Sequence, residues 1–400
     1  MNMFSLVFSI MGIVGMVLLF GNQAFAYVGY GGHDDYPFAF PNSYSYSSNN
    51  NYPLLDRVLL SSDKNTCFSP NDKLVDSNNN NWTHVFENAK NSVVKVIVSN
   101  SYSNPEISTG FIYDNDGHIV TNYHVVNNAN PINVTFADGN SYPTQITGTD
   151  PYSDLAVLQA SAALKKEQMK PLPIRNSTAS QIGQNVGAIG YPFEQLYYSV
   201  GNIKKINILR ENIFEYVQTG MIQHDACGYH GSSGGPLLDL QGQVLGVNSY
   251  PGLQGYDVPG LTLAIPSNTI QKIVPKLISQ HSYKHPWLGV DVTDLAPLNN
   301  LVVSHYGAVV QDVDPDGPAA KTDIQGLEPN LSSNSDPLII HDIVTAIDGS
   351  PIKNSDDFYN YMNNKSVGDR VVLTTMHDGV TRNFTITLGE MPSPIYNTIL

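Results

Sequence analysis

Cysteine is nearly missing from this chain: Cys67 and Cys227 are the two in 400 residues. That excludes a small disulfide-stapled fold. No HExxH string and no Cys/His group with zinc spacing occurs, so neither a metal site nor an organic cofactor is expected. Positive charge is scarce as well. The 20 Lys and Arg are outnumbered by 35 Asp and Glu, for a formal net charge of −15. This argues against nucleic acid or an anionic surface as a partner. Charged residues make up 14% of the chain, while Asn, Ser and Tyr are abundant, which suits a surface outside the cytoplasm. Internal repeats are also missing.

What the chain does have begins with an apolar stretch, residues 4–20, followed by AFA at 24–26. No Lys or Arg precedes Arg57, so the usual basic start of a secretory signal is lacking. Two readings stay open for residues 1–26: a signal peptide cut after Ala26, or an uncleaved membrane anchor. Both place the protein outside the cytoplasm, secreted or facing outward. Residues 27–81, rich in Tyr, Gly, Ser and Asn, read as a linker. The remaining length allows two folded domains, 82–283 and 284–392, before a short tail at 393–400.

The most informative string is GYHGSSGGPLLDLQGQVLGVNS, residues 228–249. It has a glycine two places before a serine, then Gly-Gly-Pro. Such a turn keeps side chains away from an incoming carbonyl and aims backbone N–H groups at a developing oxyanion. Ser233 is therefore a candidate nucleophile. Gly231 and Ser233, with Ser232 between them, would line the oxyanion pocket. A plain Gly/Ser turn between strands is the competing explanation. Upstream, GHIVTNYHVV (117–126) places His124 where an apolar run opens into a polar loop. In TGTDPYSDLAVLQA (147–160), Asp154 precedes an apolar run, where an unpaired carboxylate would be costly. Asp150 is a rival carboxylate beside Pro151. The chain order His124, Asp154, Ser233 is that of the chymotrypsin-like double barrel.

These segments resemble those of HtrA (Deg) serine proteases. The resemblance runs from about residue 82 to 390 and includes NAKNSVVKVIV, STGFIYDNDGHIVTNYHVV, VGAIGYPF, YVQTGMIQHDA and GLTLAIPSN. It implies an all-β chymotrypsin-like double β-barrel, and the short Val/Ile/Tyr-rich strands between turn residues agree. The LAIPSN string should lead into a helix over 267–281, with Ser267 as N-cap and Pro275 kinking or shortening it. Ser232 stands where pancreatic enzymes carry an aspartate that pairs with a new N-terminus, so no such cleavage is expected to be needed. The family usually has asparagine there. Counting back six from Ser233 reaches Cys227. With Gly228 and Tyr229 it marks the candidate specificity pocket, and a neutral thiol there implies cleavage after small or medium aliphatic residues. Tyr229 and His230 either tune a turn that can flip in this family or are solvated loop residues. Cys67 and Cys227 are either bridged as a redox latch or left as two thiols.

Residues 284–390 resemble a PDZ domain, an α+β module. Trp287, Leu288, Gly289 and Val290 would receive a peptide's terminal carboxylate, and the strand after them would pair with the peptide. A helix from near Ser355, bearing Phe358, Tyr361 and Met362, would form the opposite wall, unless those residues are core. The stretch 325–339 is inserted relative to the family and reads as a surface loop.

The leading expectation is an exported, ATP-independent serine endopeptidase that degrades misfolded or damaged proteins and recognises exposed chain ends. Alternatives are a chaperone-like peptide binder with minor or regulated proteolysis, and a dedicated regulatory protease. The resemblance implies a homo-oligomer, a trimer or multiple. Trp82, Val85 and Phe86 either mediate that assembly or pack on their own barrel.

Overall fold

A computed structural model gives the architecture. It describes residues 5–10, 13–20 and 23–30, and then 80–392 except 100–104, 161–168, 213, 215, 227, 250–259, 295–306 and 330–337. Residues 5–30 hold three antiparallel strands, Ser5–Ile10, Ile13–Phe20 and Gln23–Tyr30. Among the described residues no helix is long and apolar enough to cross a membrane. The linker expected over 27–81 lies outside the described residues apart from 27–30, 80 and 81, and the tail at 393–400 lies wholly outside them.

Two six-stranded barrels follow. The first is β1 (Val93–Val98), β2 (Glu106–Ile112), β3 (His118–Asn122), β4 (Ile132–Thr135), β5 (Ser141–Asp150) and β6 (Leu155–Ala160), closed in the order β1-β2-β3-β6-β5-β4. The second is β7 (Asn185–Gly190), β8 (Tyr197–Glu211), β9 (Val217–His224), β10 (Pro236–Leu238), β11 (Val244–Ser249) and β12 (Thr262–Pro266). It closes as β7-β8-β9-β12-β11-β10, the same path. Strand periodicity explains how the barrels join. Along β6, Ala156, Leu158 and Ala160 fill the first barrel, while Leu155 and Val157 face outward. Those outward residues share one core with Met221, Val247 and Ile265 of the second barrel. Each such fully buried Leu or Val contributes roughly 1.5–3 kcal/mol.

Two helices seal this shared core. In α1 (Asn80–Ala89), Trp82, Val85, Phe86 and Ala89 fall at helical spacing and are all buried. Phe86 stacks on Tyr198 of β8 with ring centroids 4.1 Å apart. These residues thus pack on their own barrels, the second of the two roles the sequence allows. The helix expected near 267–281 is α3 (Ser267–Gln280), and it buries Ile270, Ile273, Val274 and Leu277 against both barrels. Two expectations about it are corrected. Ser267 is its first residue, not its cap, and the hydroxyl donates to the Arg175 carbonyl. Pro275 does not shorten it. Pro275 and Gln271 both lie on the exposed face, so water can serve the Gln271 carbonyl that loses its helical donor.

The C-terminal module is a sheet in the order β13 (Val290–Asp294), β14 (Ala308–Val313), β15 (Asp342–Ile347), β16 (Arg370–His377) and β17 (Val380–Thr387), with α4 (Ser355–Met362) packed on it. Its ends meet, since Pro286–Trp287 pairs with Gly389–Glu390. In the inserted stretch, Glu328–Pro329 pairs with Leu338–Ile339, so its described ends form a two-stranded ladder.

Candidate active site

The four residues between β5 and β6 form a turn that ends on Asp154 at φ 58°. A non-glycine residue rarely adopts this left-handed conformation, and holding it costs about 1 kcal/mol or more. The turn is held along its length. The Asn212 side-chain amide donates to the carbonyls of Pro151 (2.8 Å) and Tyr152 (3.3 Å), and that of Gln218 to the Ser153 carbonyl (2.8 Å). Asn122 Nδ2 and the Tyr123 N–H both donate to the Asp154 carbonyl at 3.0 Å.

The Asp154 side chain, 2% exposed, is compensated on every side. Its Oδ1 accepts the His124 backbone N–H at 2.9 Å. Its Oδ2 lies 2.8 Å from His124 Nδ1 and accepts the Ser249 hydroxyl at 3.2 Å. His124 sits on α2 (Tyr123–Val126), a single turn directly after β3. Burial works against its charged form, as does Arg210. The Asp154 charge and hydrogen bond outweigh both, and the imidazole pKa is held above its ordinary value. With Nδ1–H on the carboxylate, neutral His124 keeps Nε2 as its basic atom. The rival carboxylate, Asp150, faces away from His124. It meets His285 Nε2 and accepts the Ser153 hydroxyl.

The serine segment is a turn of a defined type. Ser232 N–H donates to the Tyr229 carbonyl at 2.8 Å, Gly231 has φ 93°, and His230 keeps a negative φ. This is a type II turn, in which the third residue must be glycine or a close substitute. Ser232 Oγ also accepts the Tyr229 N–H at 3.2 Å. The Ser232 N–H is therefore spent inside the turn, which leaves the expected oxyanion donation to Gly231 and Ser233. The Ser233 carbonyl accepts Thr109 N–H (3.0 Å) and Ser108 Oγ (2.8 Å), which carries the segment onto β2. Thr109 Oγ1 donates to the Gly231 carbonyl at 2.6 Å and accepts the Tyr191 N–H at 2.9 Å. At Gly234 an added Cβ would lie 2.1 Å from the Thr109 carbonyl oxygen and 2.3 Å from Thr121 Oγ1, so only glycine permits the approach to β2 and β3. β3 leads straight into His124. On β11, Asn248 exchanges backbone hydrogen bonds with Gly234 and Gly235 at 2.8 Å, and its neighbour Ser249 reaches Asp154. The three sequence-predicted residues are thus drawn to one junction between the barrels.

Of the expected specificity residues, Cys227 lies outside the described residues, as does the Cys67–Cys227 pairing. Gly228 abuts Thr262 of β12, and the Tyr229 ring stands edge-on to Tyr197 at 6.3 Å. Sequence reading passed over His224. It is fully buried under the serine segment, with Nε2 3.1 Å from Asn248 Oδ1, and burial depresses its pKa to about 4.

Residues 108–247 match the trypsin-like peptidase domain family and residues 286–388 the PDZ domain family. The chain is 33% identical over 289 residues to Protease Do-like 1, chloroplastic, of Arabidopsis thaliana, covering 71% of this chain and 64% of that one. It is 35% identical over 292 residues to a probable periplasmic serine endoprotease DegP-like of Chlamydia trachomatis, covering 71% and 54%. Among solved structures, the HtrA-type protease AlgW with a tripeptide superposes with a TM-score of 0.65 at 25% identity, covering 78% of this chain and 98% of that one. The chain carries a trypsin-like peptidase domain followed by a PDZ domain and is similar along both to HtrA- and DegP-type proteases. It spans between about half and two-thirds of the length of these curated relatives. The two barrels are the chymotrypsin-like pair expected from the sequence, followed by the PDZ module.

In that module Leu288 and Val290 are buried and Trp287 is half-buried. The Leu288 carbonyl accepts Ala319 N–H and the Gly289 carbonyl accepts Asp314 N–H, each at 3.0 Å, which fixes the loop expected to take a carboxylate. On α4 the alternative of core packing applies. Phe358 and Met362 belong to the PDZ core, and Tyr361 packs at its margin with its hydroxyl hydrogen-bonded to Asp348 at 3.0 Å. The side chain facing the free edge of β13 is Tyr359. Its hydroxyl accepts the Val292 N–H at 3.4 Å, and burial pushes its pKa up to about 12.

Proposed function

We propose that this chain is an HtrA-type serine endopeptidase. In this reading Ser233 Oγ attacks the peptide carbonyl. His124 Nε2 takes its proton and returns it to the leaving amine. Asp154 fixes the imidazole tautomer and stabilises its cation. The N–H groups of Gly231 and Ser233 stabilise the oxyanion. The observation that carries the proposal is the two-point clamp of Asp154 on His124, backbone and Nδ1, at the junction that also holds the serine turn in its type II form. The bond formed is Ser233 Oγ to the acyl carbon and the bond broken is the peptide C–N. Water then releases the acyl group by the same proton shuttle in reverse.

Unfolded or end-exposed proteins are the proposed substrates, with cleavage after small or medium aliphatic residues. The PDZ module, in about 284–392, would take chain ends along β13. A periplasm-like, extracytoplasmic compartment fits relatives whose names say periplasmic or chloroplastic. Removal of misfolded proteins and homo-oligomeric assembly are part of the same proposal. Casein digestion tests it: wild type should cut, and Ser233→Ala should not. Equal cutting by both would overturn the assignment.

A further inference from the structure

The turn that carries Asp154 is also the place where the PDZ module is anchored. His285 lies just before the Pro286–Trp287 strand, and its Nε2 is 2.9 Å from both carboxylate oxygens of Asp150. Asp150 is 1% exposed and ends β5, directly before the turn. The other end of the module reaches the same turn, because the Tyr152 hydroxyl donates to the Pro392 carbonyl. The two ends are tied together by the Pro286–Trp287 ladder and by Met391 N–H donating to the His285 carbonyl at 3.0 Å. The His285 ring is wedged between Tyr152 (4.9 Å) and Tyr283 (4.7 Å). Within the turn, Ser153 Oγ donates to Asp150 Oδ2 at 2.5 Å, which links Asp150 to the residue beside Asp154. The groups that bear on Asp150 from the packed elements are the His285 ring, Tyr283 and, from α3, the Lys272 ammonium.

We propose that Asp150 and His285 are positioning residues for the triad, through which the PDZ module holds the left-handed Asp154 turn in its productive form. The inference rests on the serine-protease reading above. A buried carboxylate needs its partner: without the His285 donor, Asp150 must turn toward Lys272 or toward water. Either change pulls on Ser153 and so on Asp154, whose bonds to His124 are short and directional. The consequence is a route from the PDZ module to the acid of the triad that bypasses the oxyanion turn.

The test uses the full chain and a short peptide p-nitroanilide too small to reach the PDZ groove. His285→Phe keeps the ring against Tyr152 and Tyr283 but removes the donor. His285→Gln keeps a donor near the Nε2 position. We expect kcat of His285→Phe to fall between about 10- and 100-fold with KM unchanged, and His285→Gln to recover most of the loss. His285→Gln should melt near wild type, and His285→Phe below it but well above the assay temperature, so that the kinetics are read on folded protein. A second readout needs no turnover: the low-field proton resonance of His124 Nδ1–H should shift or broaden in His285→Phe and persist in His285→Gln. Wild-type kcat and an unmoved resonance in His285→Phe would overturn the proposal. So would a loss of activity that only tracks a loss of folded protein. If wild type shows the resonance but cleaves nothing, the protease reading fails and the resonance alone decides the positioning role.

Discussion

His224 makes acid stability a sensitive probe of this fold. The imidazole is buried in the second barrel, hydrogen-bonded to Asn248 Oδ1, and its pKa is depressed from 6.5 to about 4. The folded state therefore binds fewer protons here than the unfolded state between these two values. Stability from this group is complete above about pH 6.5 and is lost as the pH falls toward 4. The full shift corresponds to about 3 kcal/mol, most of which is lost between about pH 7 and about pH 4.5. Substituting His224→Gln removes the titration and leaves a side chain able to meet Asn248. Urea denaturation followed by fluorescence at both pH values gives the comparison. Wild type should lose about 2 to 3 kcal/mol more than the variant over that interval. Parallel losses in the two proteins would refute the reasoning, and would mean that the buried ring is already protonated or gains a partner in acid. Because Asn248 holds Gly234 and Gly235, the same acid step should lower activity before the chain unfolds.

Other expectations are quickly checked. The raised His124 pKa places the acid limb of kcat/KM above pH 6.5, and activity should fall as pH drops through it. Asp154→Asn should reduce kcat by roughly four orders of magnitude and leave the urea midpoint far less affected, read from a pH–rate profile and a denaturation curve. Thr109→Val strands the part-buried Gly231 carbonyl and the buried Tyr191 N–H. It should cost about 2 kcal/mol of stability and roughly tenfold in kcat, measured by urea midpoint and by p-nitroanilide turnover. Tyr359→Phe frees the Val292 N–H on the β13 edge, and a fluorescent C-terminal peptide should bind about 3- to 10-fold more tightly by anisotropy titration.

The barrels were legible because apolar residues alternate along short segments bounded by Gly, Asn and Pro. The His124 and Ser233 strings also carried their turn chemistry in their glycines. What sequence could not weigh was contact between distant segments. Asp150 and Asp154 look alike as carboxylates in one turn, and only the fold shows that one faces His124 and the other His285. Tyr359 was passed over for Tyr361 because a two-residue offset on a short helix changes its face, and spacing does not reveal which face meets β13. His224 gave no signal, since a histidine among strand residues is silent about burial. Ser267 had the right residue type for a cap, but a carbonyl of the 170s loop took its hydroxyl. Pro275 does not shorten its helix because it and Gln271, whose carbonyl loses its helical donor, both lie on the exposed face, which spacing alone does not reveal.

The central claim is that Ser233 is a nucleophile activated by His124 and Asp154. Labelling of the folded full-length chain with a fluorophosphonate, followed by mass spectrometry of the adduct, tests it most directly. We expect one phosphonylated residue, Ser233, with labelling lost in Ser233→Ala and strongly slowed in His124→Ala. An adduct on another residue, or equal labelling in the His124 variant, would contradict the account.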